Sequence, residues 1–471
     1  MKQGFLRRLR RLTYIGFSIF VWWFALTAVN ASVPSTKQTQ EAAFAMTVSG
    51  WNFDLIGWEV KAIREKIQAY WTQPAAKVPP AESAQWVDEY MERARQIGGL
   101  EGEINRILSE DNQSGNVDAL QKEVDALRQQ QETTRVAVEQ IIEQQVEWAL
   151  ADEGIGVIER TGVATQSIWQ SLGLKLWPPV YFGFVEPPKK MIISPRDRIE
   201  TIYGRMVGAE IPLEVIESSE KTIYDEHNLS AYITNIGGLG AYPAMVVDRA
   251  SLEWVLSTVA HEWVHNYLTF FPLGFNYLKN AEIMTINETV ADIVGNEIGD
   301  KVLRTFYPDL IPPDSIPPLR SAPAIVIDGE IEDGLVLSAP VESHHFDFAT
   351  EMRMTRLQVD RYLEEGKVEE AEAYMEQRRQ AFVEHGYPLR VLNQAYFAFH
   401  GSYGTSAAST DPIGPTLKHL RELSPDLKTF LVRVRDLMSL SEIEAEIEAE
   451  IETAIKSANN TELIEFNGFA K

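Results

Sequence analysis

The string HEWVH at residues 261–265 contains the side chains of this sequence that are best suited to chemistry. In a helix, a spacing of four residues places the imidazoles of His261 and His265 on one face, about one turn apart. Two neutral imidazole nitrogens can then bind a single metal ion at about 2.0–2.1 Å each. Glu262 follows the first histidine directly, so its carboxylate can reach a water molecule bound to that ion. The string therefore predicts a metal site that activates water.

A third ligand is expected from the string NETVAD at residues 287–292. Glu288 would complete a set of three protein ligands and leave the fourth position open for water, as a catalytic zinc site requires. Asp292 follows Glu288 by four residues and shares its helix face. From there it can accept a hydrogen bond from the far ring nitrogen of His261, which fixes the imidazole tautomer and raises the basicity of the ligand.

Two helices must position these side chains. Apolar residues recur at helical spacing between Ser251 and Phe271, and a second helix is predicted from Ala281 to Phe306. Proline and glycine in the intervening stretch FPLGFNYLKN predict a turn. Two packed antiparallel helices would bring Glu288 up to the histidine pair.

Together, HEWVH and NETVAD resemble the motifs of the gluzincin zinc metallopeptidases, the group of the thermolysin-like proteases and the zinc aminopeptidases. The resemblance is confined to the region around these two strings. It implies one Zn²⁺ per chain, with His261, His265 and Glu288 as ligands. It further implies Glu262 as the general base and Asp292 as the hydrogen-bond partner of a liganding histidine.

The resemblance also implies that a strand shortly before the motif helix forms a sheet edge and pairs with an extended peptide substrate. We expect this edge in a β-prone run ahead of the glycines at 237–240, at Ala231, Tyr232, Ile233 and Thr234. The glycine stretch itself lacks the third glycine of a dinucleotide-binding loop. It therefore predicts a tight turn between two strands.

Metallopeptidase sites of this kind use an additional hydrogen-bond donor to stabilise the oxyanion. In the resembled group, this donor is a Tyr or a His from the helical region after the motif. The aromatic-rich stretch at residues 393–404 ends in a glycine-flanked loop and offers two such side chains. Tyr403 is the first choice and His400 the second.

The composition restricts the partners of this protein. Its 471 residues carry a net charge of −25 and include no cysteine. Such an acidic chain argues against nucleic acid or an anionic lipid surface as the main partner. Without cysteine there are no disulfides, thiolate ligands or thiol nucleophiles, so any zinc must be bound by histidine and carboxylate.

The N-terminus predicts an export signal. Residues 1–11 are basic, and residues 12–29 form an uncharged, mostly apolar run. Val29-Asn30-Ala31 fits a small-x-small cleavage site, whereas a run of about 18 residues is also near the length of a membrane span. A cleaved signal peptide and a retained anchor both stay open. In either case the rest of the chain is expected outside the cytoplasmic membrane, in the cell envelope or secreted.

The sequence predicts an α+β fold that is predominantly α-helical. A small zincin-type sheet, the active-site helix and the glutamate helix are expected to be flanked by helical hairpins. Hydrophobic periodicity and breaks at proline-rich stretches divide the chain into five segments. They are a leader (1–31), a linker with an amphipathic segment (32–80), a helical hairpin (81–170), a metallopeptidase core (171–310) and a helical C-terminal domain (311–471).

Two further predictions concern local secondary structure in the core segment, and the role of the first hairpin stays open. Arg196–Met206 predicts a helix, and Ile211–Ile216 predicts a strand. The hairpin at 81–170 could be a spacer, a dimerisation element or a lid, and the oligomeric state stays open.

The sequence thus favours a zinc metallopeptidase that hydrolyses peptides or proteins with Glu262 as general base. The stretch GGLGAYPAM lacks the acid with which the aminopeptidase branch holds the substrate amine, which disfavours that branch. The alternative is a catalytically idle metal-binding scaffold of the cell envelope that acts through its helical hairpins. The presence of Glu262 beside the three ligands argues against this alternative.

Overall fold

A computed structural model describes residues 38–109, 117–155, 176–311 and 346–452. The expected leader at residues 1–31, including the possible membrane tether at 12–29, lies outside these ranges. Among the helices described, none combines the length and the apolar character needed to cross a bilayer.

The N-terminal part is helical. Helices α1 (Gln38–Thr47) and α2 (Leu55–Thr72) precede a long hairpin formed by α3 (Ser83–Ser109) and α4 (Val117–Asp152). The two arms of the hairpin pack together through apolar side chains. These include Ile97, Ile104 and Val124.

Six short strands and one helix follow in the described part of the chain. They are β1 (Phe182–Phe184), β2 (Lys189–Pro195), β3 (Tyr203–Val207), α5 (Leu213–His227), β4 (Leu229–Asn235), β5 (Gly238–Leu239) and β6 (Ala244–Val246). The strands form two three-stranded sheets. In the first, of order β3-β2-β4, β2 is antiparallel to both neighbours. In the second, of order β1-β6-β5, β6 is parallel to β1 and antiparallel to β5.

Two local predictions in this region are wrong. Residues 203–206, expected to be the end of a helix, belong to β3, because the backbone of this strand pairs with β2 from Lys189 opposite Val207 to Ile193 opposite Tyr203. The expected strand at 211–216 instead contains the start of α5, whose buried residues follow a helical spacing. Such choices depend on a distant pairing partner, which a local pattern does not contain.

Buried carboxylates join the hairpin to the second sheet. Glu139 and Glu143 of α4 accept hydrogen bonds from the backbone N–H groups of Phe184 (2.9 Å) and Phe182 (3.2 Å) in β1. Lys66 of α2 donates to both carboxylates, at 2.8 and 2.7 Å. The side chains of α4 therefore occupy the outer edge of β1.

The motif region forms a helix pair. It comprises α6 (Leu252–Leu268), the single-turn α7 (Pro272–Phe275) and α8 (Ala281–Phe306). Both long helices begin at a polar cap: Ser251 accepts a hydrogen bond from the N–H of Trp254, and Asn280 accepts one from that of Ile283.

Six helices form the described C-terminal part. They are α9 (Phe348–Glu364), α10 (Val368–Glu384), α11 (Gln394–His400), α12 (Ile413–Leu423), α13 (Leu427–Val434) and α14 (440–452). The first two form a hairpin, and α11 packs on the first sheet.

One large apolar core extends across the expected segment boundaries. It unites side chains of α3, α4, β1, β6, α6, α8, α12 and α13. The hairpin and the C-terminal helices therefore share a core with the motif helices. The described chain is mostly helical with small sheets, which agrees with a predominantly α-helical α+β fold.

Candidate metal centre

Helices α6 and α8 approach each other closely because α8 carries glycines where they meet. A Cβ atom on Gly295 would lie 2.8 Å from the carbonyl oxygen of Ser257, and one on Gly299 would lie 2.7 Å from the Ser257 Cα. Both distances are shorter than carbon atoms tolerate, so a larger residue would push the helices apart. The close packing brings Glu288, two helical turns before Gly295, against the histidine pair of α6.

The three predicted ligands converge on one point. Nε2 of His261 lies 3.0 Å from Nε2 of His265, and Oε2 of Glu288 lies 3.5 Å from each of these nitrogens. Tetrahedral coordination with bonds of about 2.0–2.1 Å places ligand atoms about 3.3 Å apart. The donor set and its spacing therefore fit a zinc-sized ion, and the group could hold a metal.

The far nitrogen of His261 meets a carboxylate. Its Nδ1 lies 3.1 Å from Oδ1 of Asp292, as the spacing of the NETVAD string predicts. The second oxygen of Asp292 accepts a hydrogen bond from the hydroxyl of Thr405 at 2.8 Å. Because an ionised carboxylate only accepts, Nδ1 carries the proton and the lone pair of Nε2 points to the metal position.

The far nitrogen of His265 meets an amide that the sequence analysis did not identify. Nδ1 of His265 lies 2.7 Å from Oδ1 of Asn287. The amide nitrogen of Asn287 donates to the carbonyl of Leu273 at 3.4 Å, which orients its oxygen toward the ring. His265 therefore donates from Nδ1 and leaves its Nε2 free to bind a metal. Asn287 could have been found from its position directly before Glu288.

Glu288 is held by a tyrosine that sequence reasoning also missed. The hydroxyl of Tyr277 donates a hydrogen bond to Oε1 of Glu288, so that Oε2 is the oxygen that faces the histidines. Burial raises the pKa of Glu288, but His265 and His261 outweigh it and hold this pKa well below its usual value. Glu288 is therefore ionised, as a metal ligand would have to be. No spacing rule links a tyrosine in the loop after α7 to this glutamate.

The two histidines bind protons tightly. Burial lowers the pKa of His261, but Asp292 and Glu288 outweigh it and hold that pKa well above its usual value. The pKa of His265 is also raised, because Glu288 and Glu262 outweigh the effect of burial. A metal ion must displace these protons, so its affinity is expected to fall as the pH decreases.

Glu262 lies under the glycine stretch before the motif helix. It is only 5% exposed, and burial raises the pKa of its carboxyl. A Cβ atom on Gly238 would lie 2.2 Å from Oε1 of Glu262. Only glycine allows the backbone of β5 to pass this close to the carboxylate. The stretch expected to be a simple turn thus contains a short strand that runs beside Glu262.

Both residues proposed as oxyanion donors line the same cavity as the histidines. The ring of Tyr403 lies 6.3 Å from that of His261, and the pKa of Tyr403 is raised by burial and by the nearby carboxylates, so its hydroxyl keeps its proton. His400 packs 4.3 Å from the ring of Tyr396, and burial lowers its pKa to about 4. Tyr403 contacts the ring of His261 directly, whereas His400 contacts aromatic side chains that include Tyr396.

The expected substrate edge does not lie open. It belongs to β4 and comprises Ala231, Tyr232, Ile233 and Thr234. β2 pairs with one side of this strand. On the other side, Glu220 accepts from the N–H of Ile233 at 2.7 Å, and Asn393 donates to the carbonyl of Ala231 at 2.9 Å. A peptide cannot pair with backbone groups that are already bonded, so this prediction is wrong for β4.

A cavity of ≈ 810 Å³ surrounds the candidate metal centre. Its walls include β5, the histidine face of α6, Glu288 and Tyr403. β5 is the outer strand of the second sheet, and it pairs only with β6 among the described strands. Its outer side is therefore the strand edge nearest to Glu262.

Comparison with known proteins adds no relative: no family model, no curated protein and no solved structure matches this chain. The function must be inferred from the geometry of the centre and from the resemblance of its two motif strings.

Proposed function

We propose that this protein is an exported zinc-dependent metallopeptidase of the gluzincin type. The observation that carries the proposal is the convergence of His261 Nε2, His265 Nε2 and Glu288 Oε2 at 3.0–3.5 Å from one another, in a cavity that also contains Glu262. Each ring also has an acceptor at its far nitrogen, as zinc-binding histidines commonly do. These features suit a catalytic centre with three protein ligands.

Bound zinc would supply a Lewis acid that lowers the pKa of a bound water toward about 7 and polarises a carbonyl. The chain supplies the proton transfer. Glu262 would take the proton of the attacking water and pass it to the leaving amine. Burial raises the pKa of Glu262 above its ordinary value, which favours a carboxylate that both accepts and returns a proton.

Tyr403 is the side chain that we assign to the oxyanion. A phenol that keeps its proton can donate a hydrogen bond to the oxygen that becomes negative as the peptide bond is attacked. Tyr403 keeps its proton because burial and the surrounding carboxylates raise its pKa. Tyr277 has the same chemistry, but its hydroxyl already donates to Glu288, so its role is to orient a ligand.

The substrate backbone would extend along β5. A peptide paired with the outer edge of Gly238–Leu239 would pass beside Glu262, because the β5 backbone approaches that carboxylate without room for a side chain. This assignment replaces the edge expected at residues 231–234.

The test is zinc content measured together with the products from a peptide library. We expect one zinc per chain and cleavage within extended peptides. Glu262→Gln should retain the zinc, because Glu262 is not a ligand, and should lose at least about 100-fold in kcat, the lower range of a general-base contribution. His265→Ala should lose the zinc as well as the activity.

The same experiment separates the peptidase from an idle metal-binding scaffold. A scaffold would bind zinc and cleave nothing in the wild type, and Glu262→Gln would then change neither the zinc content nor the cleavage. Wild-type protein that holds zinc but cleaves no member of the library would refute the peptidase.

A further inference from the structure

Two cationic side chains, Lys190 and Arg205, line the cavity around the metal centre, and the proposed chemistry explains the role of neither. Lys190 of β2 lines the cavity and is half-buried. β2 alternates its side chains between two faces. Lys190 and Ile192 share the face toward α11 and Tyr403, whereas Met191 and Ile193 belong to the core on the opposite face.

Lys190 is not in direct contact with a carboxylate of any residue that the structure describes. Its Nζ forms no ion pair or hydrogen bond there and lies 5.4 Å from the centroid of the Phe399 ring. Burial lowers the pKa of Lys190, while Glu288 and Glu262 act in the opposite direction. An ammonium group removed from water without a partner is costly. A bound anion would remove this cost.

Other cationic side chains of the protein form hydrogen bonds. Lys189, the residue before it in β2, donates to Oδ1 of Asn235 at 2.6 Å. Arg205 of β3 donates to Oδ1 of Asn52 at 2.6 Å, although its side chain also lies at the cavity. Lys66 is bonded to two buried glutamates. Lys190 differs from these in facing the cavity without such a bond.

Lys190 lies close to the reacting centre. A row of ring contacts leads from it to the metal ligands: Phe399 lies 6.1 Å from Tyr403, and Tyr403 lies 6.3 Å from His261, as ring centroid distances. An extended peptide advances about 3.3–3.6 Å per residue. A group bound at Lys190 would therefore be within a few residues of the bond cleaved beside Glu262.

We propose that Lys190 determines specificity by binding a carboxylate of the substrate peptide, close to the scissile bond. The carboxylate is either the C-terminal α-carboxylate or the side chain of an aspartate or glutamate. Much of the remaining cavity wall is apolar, including Met206, Phe275 and Leu278. Of the two cations that line the cavity, Lys190 is the one whose Nζ forms no hydrogen bond or ion pair with the described residues, so we assign the selection for a negative charge to it. The inference rests on the proposed peptidase function.

Matched peptides distinguish the two sources of the carboxylate. All are N-acetylated alanine–leucine hexapeptides. One pair ends in a free carboxylate or in a carboxamide. A second pair ends in a carboxamide and carries either glutamate or glutamine next to the cleaved bond. The wild type should prefer the carboxylate member of one pair. A preference within the first pair means that the C-terminal carboxylate is bound, and a preference within the second means that a side-chain carboxylate is bound.

Variants of the two adjacent lysines provide the control. Lys190→Met keeps the length of the side chain and removes the charge. It should lower kcat/KM for the preferred carboxylate peptide by about 10- to 100-fold, the value of a hydrogen bond to a charged group, and leave its neutral partner within about threefold. Lys190→Arg should retain the preference, and Lys189→Met should behave like the wild type.

Binding supplies a readout that does not require turnover. In zinc-loaded Glu262→Gln protein, calorimetry should give a dissociation constant for the carboxylate peptide that rises about 10- to 100-fold when Lys190→Met is added. An equal loss for both members of each pair, or no preference in the wild type, would overturn the assignment of Lys190 while leaving the peptidase intact. If no peptide is cleaved, the peptidase fails, and equal binding of the paired peptides then overturns the role of Lys190 separately.

Discussion

The metal centre depends on a helix contact that one methyl group should disturb. At Gly295 of α8, an added Cβ would lie 2.8 Å from the carbonyl oxygen of Ser257 and 3.0 Å from the N and Cβ atoms of His261. Ordinary contact begins at 3.4 Å, so in Gly295→Ala the carbonyl must recede by roughly 0.6 Å. His261 is itself a proposed ligand, so the displacement acts directly on the donor set.

The expected loss of zinc affinity follows from the cost of overpacking and from the narrow range of metal–ligand distances. Adding a methylene group to a packed core costs about 1–3 kcal/mol. In the metal-free protein α6 and α8 can separate slightly and relieve part of that strain. Metal binding requires metal–ligand distances within about 0.2 Å of their ideal values. The two helices must therefore return to their close packing when the metal binds, and the strain returns with it. We expect zinc affinity to fall by about 10- to 100-fold, which corresponds to about 1.4–2.7 kcal/mol.

Zinc affinity should be measured by competition with a chromophoric chelator, and stability by urea unfolding of the metal-free protein. Gly99→Ala is the matched control, because Gly99 is an exposed glycine inside α3 whose added Cβ would meet no atom within 4 Å. This control should be stabilised by up to about 1 kcal/mol through its higher helix propensity and should bind zinc normally. Gly295→Ala protein with wild-type zinc affinity would refute the claim that this close contact positions the ligands.

Three further outcomes are expected. Asn287→Leu removes the acceptor of His265 and should weaken zinc binding by about 10- to 100-fold in the same competition assay, with wild-type affinity contradicting the role of this amide. Tyr403→Phe should lower kcat by about 100- to 1000-fold with unchanged zinc content, whereas His400→Gln should change kcat by less than about tenfold; the reverse order would make His400 the oxyanion donor. Burial raises the pKa of Glu59 to about 7, so its contribution to stability is complete below about 4.5 and is lost as the pH rises through 7. Glu59→Gln should therefore gain about 2 kcal/mol over the wild type in urea unfolding at pH 8 and nothing at pH 4, and an equal difference at both pH values would contradict this assignment.

The local parts of the site follow from the sequence. The spacing within HEWVH, the position of Glu288 and the spacing from Glu288 to Asp292 are properties of helices. The structure has a helix from Ala281 to Phe306, with the bounds that hydrophobic periodicity predicts, and it places Asp292 at His261. These features need only the backbone geometry of a single helix and one turn between two helices.

Residues that act on the site from distant segments are a different case. Tyr277 contacts Glu288, and Lys190 lines the cavity, only after α7, α8 and the first sheet have packed. The same dependence explains why the sequence alone predicts a substrate edge at β4. The outer side of β4 is occupied by Glu220 and Asn393, which come from α5 and from the segment before α11.

The sequence alone establishes the kinds of chemical group in this protein and their order along two helices, because periodicity and spacing are encoded by residues a few positions apart. It also establishes the strongly acidic composition and the absence of thiol chemistry. Tertiary structure decides which strand edge is occupied, which side chains contact the histidine pair and Glu288, and which side chains line the cavity around them. These features depend on contacts between residues that are far apart in the chain, such as Arg390 with Glu220 behind β4, which are separated by 170 positions. A local pattern carries no information about such pairs, because they form only when distant elements pack.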